Sequence, residues 1–330
     1  MVKFNVLDCT LRDGGYVNNW MFGQEIARDV VANLCASGVE FVELGYLRDE
    51  EYEKERTVFS HIEQVNNLIL DFSSQTKFLA MIDYGKFEMS KIVPKTENVK
   101  LDGIRVAFKK NDINSVFDYL KQVKDAGYCL FVNPTSVDAY SDDEFVQLVN
   151  RVNELKPYSF SLVDTNGGMT LADLKRLFDL INKNLSEDIL PCFHFHNNLK
   201  LAFSLAQYLI SVAQRDLIID STILGIGRAT GNVCTELLVS YINNLGVKKY
   251  QTEIFDALIS KYFEPIYAKF SWGEATPYYL SAVNHCHPNY AKFLVEHNVS
   301  PSLMSKCFEQ IPQENKFVYN QAIIEQLCRF

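Results

Sequence analysis

Residues 4–15 read FNVLDCTLRDGG, a short apolar run that ends in a polar loop containing two glycines. Seven similar runs follow, each ahead of a longer amphipathic segment. The eight runs are Phe4–Leu7, Phe41–Leu44, Phe78–Ile82, Gly103–Phe108, Cys129–Val132, Ser159–Val163, Cys192–Phe195 and Leu217–Ile219. They recur at intervals close to the ~30 residues of a βαβ unit. Eight strands that alternate with helices and end near residue 245 predict a (β/α)8 TIM barrel, a fold of ~250 residues.

An open, doubly wound sheet is the alternative fold for such a pattern. Its first strand is normally followed by a G-x-G-x-x-G turn, whereas this chain has Asp13-Gly14-Gly15-Tyr16. We therefore assign residues 1–248 to a barrel domain. Residues 249–330 are rich in tyrosine and are predicted to form a C-terminal helical segment. We expect this segment to pack on the barrel or on a partner subunit, and the second arrangement would make a homodimer.

Composition excludes several classes of function. The chain has 330 residues, of which 48% are hydrophobic, and its 32 Lys and Arg against 41 Asp and Glu give a net charge of −9. An acidic protein without basic clusters is a poor partner for nucleic acid or an anionic membrane. We predict neither a signal segment nor a membrane span. The eight cysteines form no CxxC motif, so we expect reduced thiols and a cytoplasmic protein.

His194 and His196 form the sharpest chemical motif in the chain. Residues i and i+2 of a strand point to the same side, so both imidazoles are expected to face the barrel interior while Phe195 packs outward. With Asp13 from the loop after the first strand, they form a plausible site for a divalent metal. For the His-x-His pair taken by itself, two buried and hydrogen-bonded histidines are the competing interpretation.

Arg12 lies next to the predicted metal ligand Asp13. A guanidinium at this place suits the stabilisation of an oxyanion that develops on a substrate held at the metal. The alternative is a salt bridge at the rim of the barrel.

Three motifs, in order and spacing, resemble those of the DRE-TIM metallolyase superfamily, also called HMGL-like. They are Leu11-Arg12-Asp13-Gly14, His194-x-His196-Asn197-Asn198 and Gly225-x-Gly227-x-x-x-Gly231-Asn232. The resemblance covers roughly residues 4–240. Within the superfamily the 4-hydroxy-2-oxovalerate aldolase branch is most similar, because the segment Asp164-x-x-Gly167-Gly168-Met169 resembles its sixth loop.

This resemblance implies a metal-dependent carbon–carbon lyase. A Mn²⁺ or Mg²⁺ ion would be bound by Asp13, His194 and His196, and Asn232 matches a loop asparagine that ligates the metal in some branches. The implied reaction is retro-aldol cleavage of a 4-hydroxy-2-oxo acid, or its reverse, through a pyruvate enolate. In some members of the branch a partner dehydrogenase receives the aldehyde.

The resemblance also assigns roles outside the metal centre. Arg12 would stabilise the enolate oxygen, and Glu43 would orient Arg12 or a bound water molecule. Tyr16 is a departure, because the aldolases have a basic histidine at this position. A phenol with an ordinary pKa of ~10 is a poor base at neutral pH, so Tyr16 is either a proton or hydrogen-bond donor or a wall of the pocket.

Two other functions remain open from the sequence. A Claisen-type synthase that joins an acyl-CoA to a 2-oxo acid would use the same metal and the same Arg12, although the synthases have glutamine at position 16. A barrel that binds metal without turnover is the other. The C-terminal segment contains Tyr278, Tyr279 and Tyr290 as candidates for a catalytic tyrosine, together with a second His-x-His sequence, His285 and His287, that is expected to mark a helix start.

Overall fold

The computed structural model describes residues 2–70 and 75–328. Eight parallel strands pair in chain order, and the first also pairs with the last, which closes the sheet into a barrel. The strands are β1 (Phe4–Asp8), β2 (Phe41–Leu47), β3 (Lys77–Asp83), β4 (Gly103–Phe108), β5 (Cys129–Pro134), β6 (Ser159–Asp164), β7 (Leu190–Phe195) and β8 (Leu217–Ser221). The predicted (β/α)8 fold is confirmed, and all eight predicted runs lie within these strands.

The described residues of the barrel part of the chain form seven α-helices. They are α1 (Gly15–Asn18), α2 (Gln24–Ser37), α3 (Ile113–Asp125), α4 (Asp142–Leu155), α5 (Leu171–Asn184), α6 (Ala202–Val212) and α7 (Thr235–Asn244). The start of α4 shows how the sequence fixes a boundary. Ser141 Oγ accepts a hydrogen bond from the Glu144 backbone N–H at 3.3 Å, and Glu144 Oε2 accepts one from the Ser141 backbone N–H at 2.8 Å, as the Ser-Asp-Asp-Glu sequence predicts.

The connections around β3 differ from the predicted alternation of strands and helices. Their described residues contain only two 3₁₀ turns, Ile62–Asn67 before β3 and Met89–Lys91 after it. In the first connection the chain instead folds back so that a two-residue strand, Val58–Phe59, pairs with the end of β2. In the second, Pro94 lacks a backbone N–H and disfavours helix at the residue before it.

The C-terminal helical extension is confirmed. It consists of α8 (Glu253–Leu258), a π turn (Ile259–Phe263), α9 (Glu264–Phe270), α10 (Thr276–Val283), α11 (Pro288–Glu296), α12 (Pro301–Gln310), α13 (Gln313–Lys316) and α14 (Gln321–Cys328). Phe255 and Phe263 share the hydrophobic core of the barrel, whereas α10 to α14 pack around a second core that contains Tyr290 and Phe308. The predicted domain boundary at 248/249 stays a prediction. Among the described residues, no helix combines the length and apolar character needed to cross a bilayer.

The barrel interior changes from apolar to polar along the strands. Phe41, Cys192 and Ile218 belong to an apolar interior cluster. Because every second residue of a strand faces the same side, the next inward residues of β2, β7 and β8 are Glu43, His194 and Asp220. All three are buried. Charged groups are thus concentrated toward the carboxyl ends of the strands, where TIM barrels have their active sites.

Candidate active site

His194, His196 and Asp13 come together at the carboxyl end of the barrel. One potential ligand atom from each lies within 4.8 Å of the other two, and all three residues are buried. His194 is the inward residue near the end of β7, and His196 follows the strand with the same orientation, while Phe195 packs in the outer core as predicted. The structure therefore brings the three predicted ligands to one point, although their positions in the chain are far apart.

The hydrogen bonds of the two imidazoles leave one nitrogen of each ring free for a metal. His194 Nδ1 donates to Asp220 Oδ2 at 2.9 Å, and His196 Nδ1 donates to the carbonyl of Asp164 at 2.8 Å. Both Nε2 atoms then carry the lone pair. Burial lowers the pKa of His194, which favours the neutral form that can bind a metal. Among the described residues, His196 Nε2 is buried without a hydrogen-bond partner and lies 3.6 Å from Asp13 Oδ2.

Asn232 and Gly227 shape the other side of this centre. Asn232 Nδ2 donates to Asp13 Oδ2 at 2.6 Å, while its Oδ1 is buried and has no partner in the described part of the chain. The amide would have to rotate to present Oδ1 as a ligand. A Cβ on Gly227 would lie 2.1 Å from Asn232 Nδ2 and 2.7 Å from Asp13 Oδ2, so the loop can approach the centre only with glycine here.

Arg12 lies between the metal centre and the barrel interior. Its NH1 contacts Asp13 Oδ1 at 2.5 Å and its Nε donates to Glu43 Oε2 at 2.7 Å. Burial by itself would raise the pKa of Asp13, but the adjacent guanidinium and the two histidines hold it well below its usual range. Asp13 is therefore ionised. Glu43 positions the guanidinium, and one of its oxygens, Oε1, has no partner among the described residues.

Arg105 and Asp220 lie beside these groups, and the sequence did not predict a role for either of them. Arg105 is fully buried in the barrel, with NH1 3.3 Å from Glu43 Oε2 and NH2 2.6 Å from Asp220 Oδ2. Together with the bond from His194 to Asp220, this makes a continuous row of alternating charges from one side of the metal centre to the other. The sequence contains one indication of such residues, a single charged residue within an apolar strand, as in Leu217-Ile218-Ile219-Asp220.

Replacement of Arg105 by methionine is expected to lower the free energy of unfolding by about 3–5 kcal/mol, because it removes the buried positive charge that lies between the Glu43 and Asp220 carboxylates. Urea denaturation of wild type and variant measures this change. Arg176→Met is the matched control, since its ion pair with Asp142 is exposed at the surface and should contribute less than ~1 kcal/mol. Equal effects of the two substitutions would contradict the prediction.

A cavity of about 1110 Å³ opens above the metal centre. Tyr16 lines it with a ring that is 39% exposed, and its hydroxyl lies 3.0 Å from that of Tyr46. The C-terminal helices contribute Tyr319 and His287 to the wall. Tyr290, a predicted candidate, is instead buried in the second core, where its hydroxyl donates to the Asn315 carbonyl at 3.0 Å.

Comparison with known proteins agrees with this geometry. The HMGL-like family model matches residues 3–257, which include the whole barrel and every group of the metal centre. The chain belongs to the HMGL-like family. The resemblance to the DRE-TIM metallolyases is thus confirmed.

Three related proteins show the range of activities in this HMGL-like family. An oxaloacetate decarboxylase of Mycobacterium tuberculosis is 22% identical over 73% of this chain and 70% of its own length. A 4-hydroxy-2-oxovalerate aldolase of Carboxydothermus hydrogenoformans is 24% identical over 76% and 73%. The crystallised N-terminal domain of a candidate aldolase from Bacteroides vulgatus superimposes with a TM-score of 0.72 and 26% identity, over 89% of this chain and 97% of that domain. These relatives support an enzyme of the lyase type.

Proposed function

We propose that the protein is a divalent-metal-dependent carbon–carbon lyase that cleaves a 4-hydroxy-2-oxo acid to pyruvate and an aldehyde, or catalyses the reverse aldol addition. The observation that carries this proposal is the convergence of Asp13, His194 and His196 beside the Arg12 guanidinium. The names of the relatives point to the same kind of chemistry, since an aldolase and an oxaloacetate decarboxylase both act on 2-oxo acids.

The residues present fit a metal ion. Asp13 offers an ionised carboxylate, and the histidines offer two Nε2 lone pairs, one of which is buried without a partner among the described residues. Mn²⁺ or Mg²⁺ is our proposal for the ion, with Asn232 as a further ligand after rotation of its amide. Bound there, the ion would act as a Lewis acid that polarises the oxygens of the 2-oxo acid.

The chain itself supplies orientation and charge. Asp220 and the Asp164 carbonyl hold the two imidazoles in the tautomer that leaves Nε2 free. Glu43, inside the barrel, holds the Arg12 guanidinium in place. The N–H donors of Arg12 are therefore preorganised toward the substrate oxygen on which negative charge develops as the carbon–carbon bond breaks. Tyr16 lines the cavity wall, where its hydroxyl can hydrogen-bond the hydroxyl group of the substrate.

The test is pyruvate release from a panel of 4-hydroxy-2-oxo acids by the Mn²⁺-loaded chain, followed by a coupled lactate dehydrogenase assay. Equimolar aldehyde, measured in parallel, is the expected companion product. Release of carbon dioxide and pyruvate from oxaloacetate without any aldolase activity would replace the proposal by a decarboxylase. Condensation of acetyl-CoA with a 2-oxo acid would favour the Claisen-type synthase. If none of these three reactions occurs, the result favours a barrel that binds metal without turnover.

Three further hypotheses belong to this proposal. The protein acts in the cytoplasm, as its eight cysteines without a CxxC motif suggest. It forms a homodimer. It passes the aldehyde to a partner dehydrogenase.

A further inference from the structure

The cavity has a basic outer wall built from three distant parts of the chain. Lys109 follows β4, Arg228 lies in the loop after β8, and His287 precedes the first residue of α11. All three line the same cavity as the metal centre. None of them belongs to the row of alternating charges beside the metal centre. We therefore consider a separate function for these three residues.

Arg228 is held at the wall with part of its charge unused. Its NH2 donates to the Thr165 carbonyl at 2.6 Å, and its guanidinium carbon lies 5.7 Å from the centre of the Tyr16 ring. Nε is buried and has no partner among the described residues. Within the described part of the chain, neither Arg228 nor Lys109 forms an ion pair with a carboxylate, whereas the neighbouring Lys110 is paired with Glu144 at 2.7 Å. Cationic groups that line a cavity without a carboxylate partner are suited to binding an anion.

His287 adds a neutral donor to these two charges. Its Nδ1 accepts a hydrogen bond from the Asn289 backbone N–H at 3.2 Å, so the ring proton of the neutral form lies on Nε2. Burial, and then the charges of Arg228, Lys109 and His196, lower the pKa of His287 to about 3. The imidazole is therefore an uncharged N–H donor at neutral pH, in a region of positive potential.

Two acidic residues of the cavity already have partners within the protein. Asp83 is paired with Arg48 at 3.0 Å, and the Asp112 carboxylate accepts from the backbone N–H of Lys109 at 3.0 Å. Outside the metal centre, Glu314 on α13 is the remaining carboxylate among the described lining residues. The volume of about 1110 Å³ slightly exceeds the ~300–1,000 Å³ typical of small-molecule sites, so a long substrate fits.

We propose that Lys109, Arg228 and His287 form a second anion-binding subsite, and that the substrate is a 2-oxo acid with another negatively charged group, a carboxylate or a phosphate, at its far end. This inference rests on the proposed function, because that function places the 2-oxo acid end of the substrate at the metal centre. The chain of the substrate then spans the cavity from Arg12 to the basic wall.

The first test compares binding of 2-oxo acids of equal length by the full, Mn²⁺-loaded chain in titration calorimetry. The pairs are 2-oxovalerate with 2-oxoglutarate and 2-oxohexanoate with 2-oxoadipate, and a 4-hydroxy-2-oxo acid with a terminal phosphate is the third anionic probe. The dicarboxylates or the phosphate ester should bind about 10- to 100-fold more tightly than the monocarboxylates, as charge-assisted hydrogen bonds allow. The comparison of carboxylate and phosphate probes identifies the anion.

Substitutions in the basic wall test whether its residues cause the tighter binding of acids with a second anionic group. Lys109→Gln and Arg228→Gln should each remove most of it, while 2-oxovalerate binds to both as it does to wild type. Lys121→Gln is the matched control, because this exposed lysine of α3 is paired with Asp125 on the same helix. Lys109 is exposed, so its variant is expected to fold. Equal affinity for acids with one and with two anionic groups, or a preference that survives both variants, would overturn the subsite and leave the proposed function intact.

A second readout needs neither metal nor 2-oxo acid. Titration of the metal-free chain with inorganic phosphate should shift the ring proton resonances of His287 in a saturable way, and Arg228→Gln should abolish this shift. If phosphate binds in this manner while no 2-oxo acid binds to the Mn²⁺-loaded chain, the proposed function fails and the anion subsite stands. If the His287 resonances stay unchanged while 2-oxo acids bind to the Mn²⁺-loaded chain, the anion subsite fails and the proposed function stands.

Discussion

Arg12→Ala is expected to reduce kcat for carbon–carbon cleavage by about 10²–10³-fold, the cost of removing one preorganised donor from a developing oxyanion. Arg12 is the guanidinium nearest to the metal centre, held by Glu43 at 2.7 Å and by Asp13 at 2.5 Å. Arg105 is not expected to replace it, because Arg105 is engaged with Asp220 and Glu43 inside the barrel. Steady-state pyruvate release measures the effect.

Three controls separate this catalytic role from a structural one. Mn²⁺ binding, followed by electron paramagnetic resonance, should persist in Arg12→Ala, since Asp13 and both histidines remain. Arg12→Lys should keep the buried charge balance and a folded barrel but recover little activity, because an ammonium lacks the planar fork of donors. Arg176→Ala, on the outer surface, should behave as wild type. Undiminished pyruvate release by Arg12→Ala would exclude the proposed role.

His196→Asn is expected to abolish metal binding and, with it, all turnover. Changes outside the ligand shell of a metal site typically cost 10–100-fold in affinity or activity, so the loss of a direct ligand should exceed ~100-fold. The wild-type chain should bind one Mn²⁺ in a titration followed by electron paramagnetic resonance. Removal of the ion by EDTA should stop pyruvate release, and added Mn²⁺ should restore it.

The chain offers a matched control for this substitution. His285 belongs to the second His-x-His sequence, yet it is exposed and lies before α11, where no described carboxylate joins it in a metal-binding group. Its φ of 56° is one that asparagine tolerates, so His285→Asn should leave both folding and metal binding unchanged. A loss of Mn²⁺ affinity in His285→Asn equal to that in His196→Asn would show that the centre lies elsewhere.

The sequence predicted the fold, and the three residues that it proposes as metal ligands lie together in the structure, but it did not predict the contacts that hold them. The periodicity of apolar runs is set by the barrel itself, because strands that are buried on both faces must be continuously apolar. The apolar periodicity did not predict that the connections around β3 lack α-helices in their described residues. These connections are long enough for a helix, and their length alone does not show whether one forms. The ion pair between Arg105 and Asp220 was not predicted either, since one charged residue in an apolar strand does not reveal its partners across the barrel.

The local sequence by itself determined which groups could bind a metal and on which side of a strand they lie, since the alternation of side chains along β7 is a property of the extended backbone. Only the tertiary structure decided which nitrogen of each imidazole is free, because that depends on Asp220 and the Asp164 carbonyl, contributed by other strands. It also decided that Lys109, Arg228 and His287 meet. Electrostatic and hydrogen-bonding partners act through space, and closure of the barrel and docking of the C-terminal helices bring these residues within reach of one another.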